Sequence, residues 1–418
     1  MSQVVAAPDI NQPLSNWLSW LETIHPVAID MGLDRVSRVA DRLGLRPAIC
    51  PLILVGGTNG KGSTVAMLSS IYCKAGYRVG AYTSPHITHF CERIQIGGVM
   101  VDEQLVVDAL SFVEQGRVPE TLTYFEYTTL AAMRVFNVMQ CDVLLFEVGL
   151  GGRLDATNIW DADCSVIASV GLDHEAYLGS DVSIIATEKA AIGRQGKPFV
   201  VGEVNPPSSL AAFARAHGFN MINIGSSPVD ALPVTSMPGD YQRRNAGCAV
   251  AVVKALGDIL PVPDSTISES LLHVSLEGRF ERVRIGDSTV IFDVAHNPAG
   301  AAALADAWKG EFEAQKADIV FATLSDKDMA GVVCALKPII DTWHCVSLNV
   351  PRATGLEKLS TIVKQVTQSR DVVSHTTVSH ALKAALANVK QSKRAILVAG
   401  SFYTIAAVRD ALVQQQRS

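Results

Sequence analysis

Short continuous apolar runs, separated by helical patterns, constrain the fold of this chain more than any other feature. The first runs lie at residues 52–55, 143–146 and 165–168, and helical patterns occur at 63–75 and 127–139. Continuous runs suit parallel strands that are covered on both faces, whereas half-exposed strands alternate. The sequence therefore predicts an α/β fold with a doubly wound, mostly parallel sheet.

The alternation of apolar runs and helical patterns starts again near residue 288. Further strand candidates lie at 289–292, 319–323, 345–348 and 395–399, and a helical pattern covers 298–308. A chain of 418 residues is also long for a single core. We therefore predict two α/β domains, 1–284 and 285–418. Their boundary is expected within 276–284, before a polar hairpin around Gly286 and Asp287.

Composition limits the classes of protein to which the chain can belong. Hydrophobic residues make up 48% and charged residues 18%, which is typical of a globular protein. The net charge of −6, without long runs of one sign, disfavours a nucleic-acid partner. The eight cysteines include no C-x-x-C pair, which disfavours disulfides and zinc and favours a cytoplasmic location. Neither a secretory signal nor an apolar run of membrane-spanning length is recognisable, so no membrane association is expected.

The strongest local signal is a glycine-rich loop at residues 56–64, between the first strand candidate and a helix. Such a loop offers backbone N–H groups to an anion, and the helix dipole favours negative charge there. Lys61 would supply a cation for phosphates, and Ser63 or Thr64 a hydroxyl for Mg²⁺. Val55 replaces the first glycine of the standard P-loop, so the motif is a variant. The alternative is a turn that only packs a helix on a sheet.

Polar side chains follow three other strand candidates. Ser84 follows the segment 78–82, Glu147 follows 143–146, and His174 comes soon after 165–168. Ligands of open α/β sheets bind at the carboxyl ends of the strands, and Mg²⁺ prefers oxygen ligands. Each residue also has a structural alternative. These are a Ser-Pro turn at Ser84, an ion pair between Glu147 and Arg153, and a loop cap at His174.

Two further candidates are ambiguous by themselves. Lys189 lies in a helical pattern, where a lysine is ordinarily solvated. Asp293, His296 and Asn297 stand between a strand candidate and a helix in the second domain. Such a cluster indicates either a site or a helix-capping network.

Taken together, these stretches resemble the Mur ligase superfamily and, within it, the folylpolyglutamate synthase/dihydrofolate synthase family. The matching motifs run in family order: GTNGKGST at 57–64, YTSPH at 82–86, TYFEY at 123–127, EVGLGGRLDATN at 147–158, GLDH at 171–174, EKA at 188–190, GRF at 278–280, FDVAHNP at 292–298 and GSF at 400–402. The N-terminal stretch 17–33 also resembles the bacterial bifunctional form. The resemblance implies a large P-loop-type ATPase domain that binds ATP and the pterin or folate, and a smaller Rossmann-like C-terminal domain that binds glutamate.

The resemblance also implies site residues. Those for ATP are Thr58, Asn59, Gly60, Lys61, Gly62, Ser63, Asn245, Arg279 and Asp293. Ser84 and Glu147 match ligands of a first Mg²⁺, and His174 a ligand of a second. Lys189 matches a lysine that CO₂ carboxylates to a carbamate, N6-carboxylysine, which serves the second Mg²⁺. Substrate positions are matched by Asp30, Met31, Thr123, Tyr124, Phe125, Glu126, Leu154, Asp155 and Ala156, with Ser401 and His296 expected near glutamate. The residues expected to take part in catalysis are Lys61, Lys189, His174 and His296.

A chain of this family is expected to be a monomeric ATP-dependent ligase of folate biosynthesis. It would join L-glutamate to dihydropteroate, giving dihydrofolate, and to tetrahydrofolate polyglutamates, in each case through an acyl phosphate. The sequence departs from the family pattern at Tyr403, where a histidine is usual, and at residues 175–177, Glu-Ala-Tyr. Both departures concern substrate preference more than chemistry.

The sequence supports two rival functions less well than it supports a folate ligase. A muramyl-peptide ligase would use the same chemistry, but the TYFEY and LDATN stretches disfavour it, as does the lack of a further N-terminal UDP-binding domain. A nucleotide-binding regulatory protein without turnover is the other rival. Intact Lys61, Glu147, His174 and Lys189 speak against it.

Overall fold

The computed structural model describes residues 6–369, 371–392 and 394–417, and the chain divides into two compact units. Unit 1 contains the residues up to Val234 together with Arg244–Val274. Unit 2 contains Thr235–Arg243 and the residues from Ser275 onward. The predicted α/β class is confirmed, because both units are mostly parallel sheets with helices.

Unit 1 is built on a sheet that has eight strands in the described residues, in the order β4-β3-β2-β5-β1-β6-β7-β8. The strands are β1 Leu52–Gly56, β2 Val79–Tyr82, β3 Ile94–Ile96, β4 Val99–Met100, β5 Val143–Glu147, β6 Cys164–Ile167, β7 Pro198–Val201 and β8 Asn220–Asn223. All pairings are parallel except those of the β2-β3-β4 edge. Because β2, β5, β1 and β6 are parallel neighbours, the segments that follow them emerge at one edge of the sheet.

Helices surround this sheet. They are α1 Leu14–Leu21, α2 Asp34–Arg42, α3 Lys61–Lys74, α4 Glu103–Arg117, α5 Tyr124–Val138, α6 Glu175–Leu178, α7 Val182–Ala190, α8 Ser208–Ala216, α9 Asp240–Ala255 and α10 Asp264–Leu271. Helix α9 contributes residues to both units. The predicted helices at 63–75 and 127–139 correspond to α3 and α5, each of which starts a few residues earlier than predicted.

The core of unit 1 explains why its strands read as continuous apolar runs. All five residues of β1 and of β5 are buried, because helices cover both faces of the sheet. The Phe146 ring lies 5.7 Å from the Tyr82 and Phe136 rings and 5.4 Å from that of Trp160. Trp160 also donates its indole N–H to the Leu45 carbonyl at 2.8 Å, which satisfies its buried polar atom.

Unit 2 has the same kind of architecture, a mostly parallel sheet with helices, but its sheet is smaller. Its sheet has six strands in the described ranges, ordered β13-β12-β11-β14-β10-β9 and parallel except for β9 against β10. The strands are β9 Glu281–Ile285, β10 Ser288–Phe292, β11 Ala317–Phe321, β12 Ile340–Val346, β13 Val372–His375 and β14 Ile396–Ala399. The helices are α11 Pro298–Phe312, α12 Met329–Leu336, α13 Leu356–Thr367, α14 Val378–Ser392 and α15 Phe402–Arg417.

The turn between β9 and β10 confirms the predicted polar hairpin, with Gly286 at a φ of +57°. The strand predicted at 345–348 is displaced, since β12 is Ile340–Val346. Its first five residues include Asp341, Thr342 and His344, which break the apolar run that marks a buried strand. Pairing with β11 and β13 makes this segment a strand despite those residues. Within the described ranges, none of the helices is both long and apolar enough to cross a bilayer.

Candidate active site

The glycine-rich loop between β1 and α3 has a backbone that requires glycine. Gly57 has a φ of +144° and Gly60 a φ of +85°, values that residues with a Cβ rarely adopt. A Cβ on Gly57 would lie 3.0 Å from the Ser169 backbone nitrogen. A Cβ on Gly60 would lie 2.5 Å from Asn245 Oδ1. The loop therefore packs tightly against the segment that follows β6, and Asn245 of α9 lies beside it.

Hydrogen bonds join this loop to the segment that follows β6. The Thr58 N–H donates to the Ser169 carbonyl at 2.9 Å, and the Asn59 N–H donates to the Ser169 hydroxyl at 2.8 Å. The Thr58 hydroxyl exchanges two 3.0 Å bonds with the backbone of Gly171. The loop and the GLDH motif are thus brought together, as sheet topology predicts.

Two lysines converge on the Gly57 carbonyl. Lys61 Nζ donates to it at 2.9 Å, and Lys189 Nζ, from α7, donates to it at 3.3 Å. Lys189 is only 5% exposed, so the interpretation as a solvated helix lysine is wrong. Burial lowers its pKa more than the charges of Asp173 and Asp155 raise it. Burial, together with the charge of Lys61, lowers the pKa of Lys189 to about 7.

A buried carboxylate lies at the end of β5. Glu147 is 5% exposed, and its Oε2 accepts the backbone N–H of Ser84 at 3.2 Å, so the predicted metal-binding pair is adjacent. Arg153 pairs instead with Glu188 at 2.8 Å. The alternative of an ion pair between Glu147 and Arg153 is therefore wrong. A buried carboxylate at the end of a strand suits a cation, because burying a charge is costly unless it is compensated.

His174 stands at the N-cap position of the short helix α6 in a left-handed conformation, with a φ of +53°. Its side chain makes no hydrogen bond that caps α6. The backbone N–H of His174 donates to Asp173 Oδ1 at 2.8 Å. The ring remains about half exposed.

The predicted substrate positions in unit 1 come from three stretches that meet. A Cβ on Gly149 would lie 2.7 Å from the Phe125 ring, and one on Gly151 would lie 3.8 Å from the Met31 methyl group. Asp155 is buried and accepts the Leu150 N–H at 2.8 Å. Burial raises the pKa of Asp155, although hydrogen bonds from Thr157 and backbone N–H groups oppose the shift.

The other substrate positions surround these contacts. Glu126 is buried at the start of α5 and forms a capping box with Thr123, in which each side chain accepts a backbone N–H of the other. Ala156 is buried, Tyr124 is half-buried, and Leu154 is 38% exposed. Asp30 is exposed, but it is held by His25 and Arg35.

Unit 2 carries its own cluster of predicted residues. Asp293 is buried and accepts the N–H groups of Phe280 and Ala295, both at 2.9 Å. Burial raises the pKa of Asp293, and the charge of Arg279 opposes the shift. The Arg279 guanidinium carbon lies 5.3 Å from the centre of the Phe402 ring.

The capping alternative for the FDVAHNP motif is correct for Asn297. The Asn297 side chain caps α11 by accepting the Gly300 N–H at 2.8 Å. The His296 ring lies 6.2 Å from that of Phe402 and its Nδ1 is 2.9 Å from the Val294 carbonyl. Ser401 is buried, with its hydroxyl 2.7 Å from that of Thr404.

Two residues of the candidate site in unit 1, Ser169 and Arg35, were not predicted from the sequence. Ser169 bonds both the N–H and the carbonyl of Asn59, and its only signal is its place at the end of a strand candidate. Arg35 contacts both Asp30 and Glu126, and no sequence pattern pairs Arg35 with Glu126, which is 91 positions away.

Comparison with known proteins identifies the family of this chain. A family model described as "Mur ligase, glutamate ligase domain" matches residues 278–402. The dihydrofolate synthase/folylpolyglutamate synthase of Escherichia coli is 39% identical to this chain, and the match covers 97% of each. This chain belongs to the dihydrofolate synthase/folylpolyglutamate synthase family. The predictions of an ATP-dependent ligase and of glutamate addition to folates are confirmed by that membership.

Solved structures of the dihydrofolate synthase/folylpolyglutamate synthase family share the fold. That of Escherichia coli FolC in complex with DHPP and ADP has a TM-score of 0.91, with 39% identity over 99% of this chain and 100% of that one. A bifunctional folylpolyglutamate synthase/dihydrofolate synthase with Mn, AMPPNP and L-glutamate bound has a TM-score of 0.86. It is 36% identical over 98% of this chain and 100% of that one.

Proposed function

We propose that this protein makes dihydrofolate from dihydropteroate and L-glutamate, and that it also adds glutamate to tetrahydrofolate polyglutamates. The observation that carries the proposal is the convergence of Lys61 and Lys189 on the Gly57 carbonyl, within a loop whose backbone requires glycine at two positions. A phosphate-binding loop next to a buried amine of lowered pKa suits phosphoryl transfer to a carboxylate.

The residues of unit 1 fit ATP and Mg²⁺. A Cβ at Gly57 would meet the backbone of Ser169, and one at Gly60 would meet the Asn245 side chain, so the loop requires glycine at both positions. Backbone N–H groups at the start of α3 suit a phosphate. Thr58, Asn59, Gly60, Lys61, Gly62 and Ser63, with Asn245, are proposed to bind ATP. Ser84 and Glu147 are proposed to hold one Mg²⁺, and His174 with Lys189 a second. The metals would neutralise phosphate charge during transfer.

The remaining assignments belong to the same proposal. Asp30, Met31, Thr123, Tyr124, Phe125, Glu126, Leu154, Asp155 and Ala156 are proposed for the pterin or folate. Arg279 and Asp293 of unit 2 are proposed for the nucleotide, and His296 and Ser401 for glutamate. We assign a monomer in the cytoplasm, and the eight free thiols agree with a reducing compartment.

The chemistry requires activation because a carboxylate is a poor electrophile. Transfer of the γ-phosphoryl group to the substrate carboxylate gives an acyl phosphate and ADP. The amine of glutamate then attacks the acyl carbon, and phosphate leaves. Lys61 would balance the charge on the transferred group, and the loop would hold it in line with the carboxylate.

A substrate panel tests the proposal. The purified protein is incubated with ATP, Mg²⁺ and L-glutamate, with dihydropteroate or tetrahydrofolate, and product masses are read. We expect one added glutamate on dihydropteroate and one or more on tetrahydrofolate, with ADP release that depends on both substrates. Consumption of neither pterin would contradict the proposal, and extension of tetrahydrofolate alone would remove its first half.

Two lysines of α3 provide a matched pair for the phosphate loop. Lys61→Ala should abolish ligation while the circular dichroism spectrum is unchanged, because Lys61 is only partly buried and its loss leaves no cavity in the core. Lys74→Ala removes a lysine at the other end of the same helix, where it pairs with Glu269 at 2.7 Å. That variant should turn over normally. Ligation by Lys61→Ala at the wild-type rate would refute the assignment of the loop.

A further inference from the structure

The segment between α1 and α2, residues 22–33, has neither helix nor strand. It carries Asp30 and Met31, which are proposed for the substrate, and two apolar side chains that are exposed, Val27 and Ile29. A stretch without backbone pairing of its own depends on side-chain contacts for a defined position. The 22–33 segment therefore needs an anchor if it is to present Met31 next to Gly151.

Arg35, in the first turn of α2, is that anchor. Its terminal nitrogens donate to the Asp30 carboxylate and to the Asp30 carbonyl, and its Nε lies 2.9 Å from Glu126 Oε1. One planar guanidinium thus contacts three groups at once, which a lysine ammonium cannot do with the same geometry. The Arg35 side chain is 19% exposed and that of Glu126 is 5% exposed. Solvent therefore screens the contact between Arg35 and Glu126 only weakly.

Glu126 connects this anchor to the start of α5. Its Oε2 accepts the backbone N–H and the hydroxyl of Thr123, at 2.8 and 2.9 Å. A second, weaker link runs through His25, whose ring nitrogens lie 3.2 Å from Asp30 Oδ2 and 2.9 Å from the Thr121 hydroxyl. The 22–33 segment is therefore held against residues 121–126 at two points, and both links include Asp30.

We propose that Arg35 is a positioning residue for the pterin substrate: it holds Asp30 and Met31 in register with Thr123 and Glu126. This inference rests on the proposed function, because it uses the assignment of those stretches to dihydropteroate. Arg35 acts through its neighbours and lies outside the phosphate loop. Its loss should therefore weaken binding of dihydropteroate and leave the chemical step and ATP binding unchanged.

Steady-state kinetics with dihydropteroate test this role. Arg35→Ala should raise the KM for dihydropteroate at least tenfold, with kcat and the KM for ATP within twofold of wild type. Arg35→Lys keeps the charge beside Glu126 and should give an intermediate KM. The control is Arg38→Ala on the same helix, which removes an exposed ion pair to Glu120 at 3.0 Å and should leave all three constants unchanged.

Hydrogen exchange provides a readout that does not depend on turnover. In Arg35→Ala the peptide covering residues 22–33 should exchange faster than in wild type, whereas the α3 peptide should be unaffected. Should Arg35→Ala fail to fold, Arg35→Lys decides, and a wild-type KM in that folded variant overturns the inference. A fall in kcat at constant KM also overturns it. If wild type does not consume dihydropteroate, the proposed function itself has failed, which is a different result from an unchanged KM in Arg35→Ala.

Discussion

We predict that CO₂ carboxylates Lys189 in the working enzyme. CO₂ reacts with a neutral amine and not with an ammonium ion, so the pKa of the lysine decides how readily a carbamate forms. With a pKa of about 7, about three quarters of Lys189 is neutral at pH 7.5, against about one in a thousand for an ordinary lysine. The buried site therefore makes Lys189 on the order of several hundred times more available to CO₂.

The sign of the pH dependence follows from that shift. Below pH 7 the neutral fraction of Lys189 falls about tenfold per pH unit, and above pH 7 it levels off. An ordinary lysine would continue to gain neutral form up to about pH 10. The rate of carbamate formation at constant dissolved CO₂ should therefore level off above pH 7 in the metal-free protein. ¹³C NMR with labelled CO₂ measures this rate, because the carbamate carbon gives a resolved signal.

Two variants complete this test. Lys189→Ala should lose both the NMR signal and ligation, and a short-chain carboxylic acid that fills the vacated space should restore part of the activity. Lys197→Ala, which removes a half-exposed lysine paired with Asp163 at 3.0 Å, should retain both. Full activity of Lys189→Ala without added acid would rule out an essential carbamate. A formation rate that still rises between pH 8 and 9 would refute the lowered pKa.

Two further predictions concern the loop and the core. Gly60→Ala should raise the Kd for ATP at least tenfold in a titration, because its Cβ would lie 2.5 Å from Asn245 Oδ1. Gly76→Ala has a similar φ, +93°, but open space around its Cβ, so it should lose about 1 kcal/mol of stability and bind ATP normally. Phe146→Ala should lower the free energy of unfolding by about 3–5 kcal/mol in urea denaturation, because it leaves a cavity among packed rings. A loss below about 1 kcal/mol would show that the site collapses around the smaller side chain.

Much of the fold follows from local pattern. The strands β1, β5, β6, β10 and β14 were predictable because burial on both faces requires continuous apolar residues, and the helices between them because of their spacing. The ends of elements were less predictable. Strand β12 begins with polar residues, and only its pairing with two neighbouring strands makes it extended.

The class of fold, the glycine-rich loop and the family can be recognised from the sequence alone, because each depends on short runs of neighbouring residues. Tertiary structure decided the rest. Lys189 looks like any helix lysine until α7 buries it beside Gly57, and only that burial lowers its pKa. Arg35 and Glu126 are far apart in the chain, and their contact depends on how α2 and α5 pack. Electrostatic environment and long-range contacts depend on packing in three dimensions, so no local pattern could reveal them.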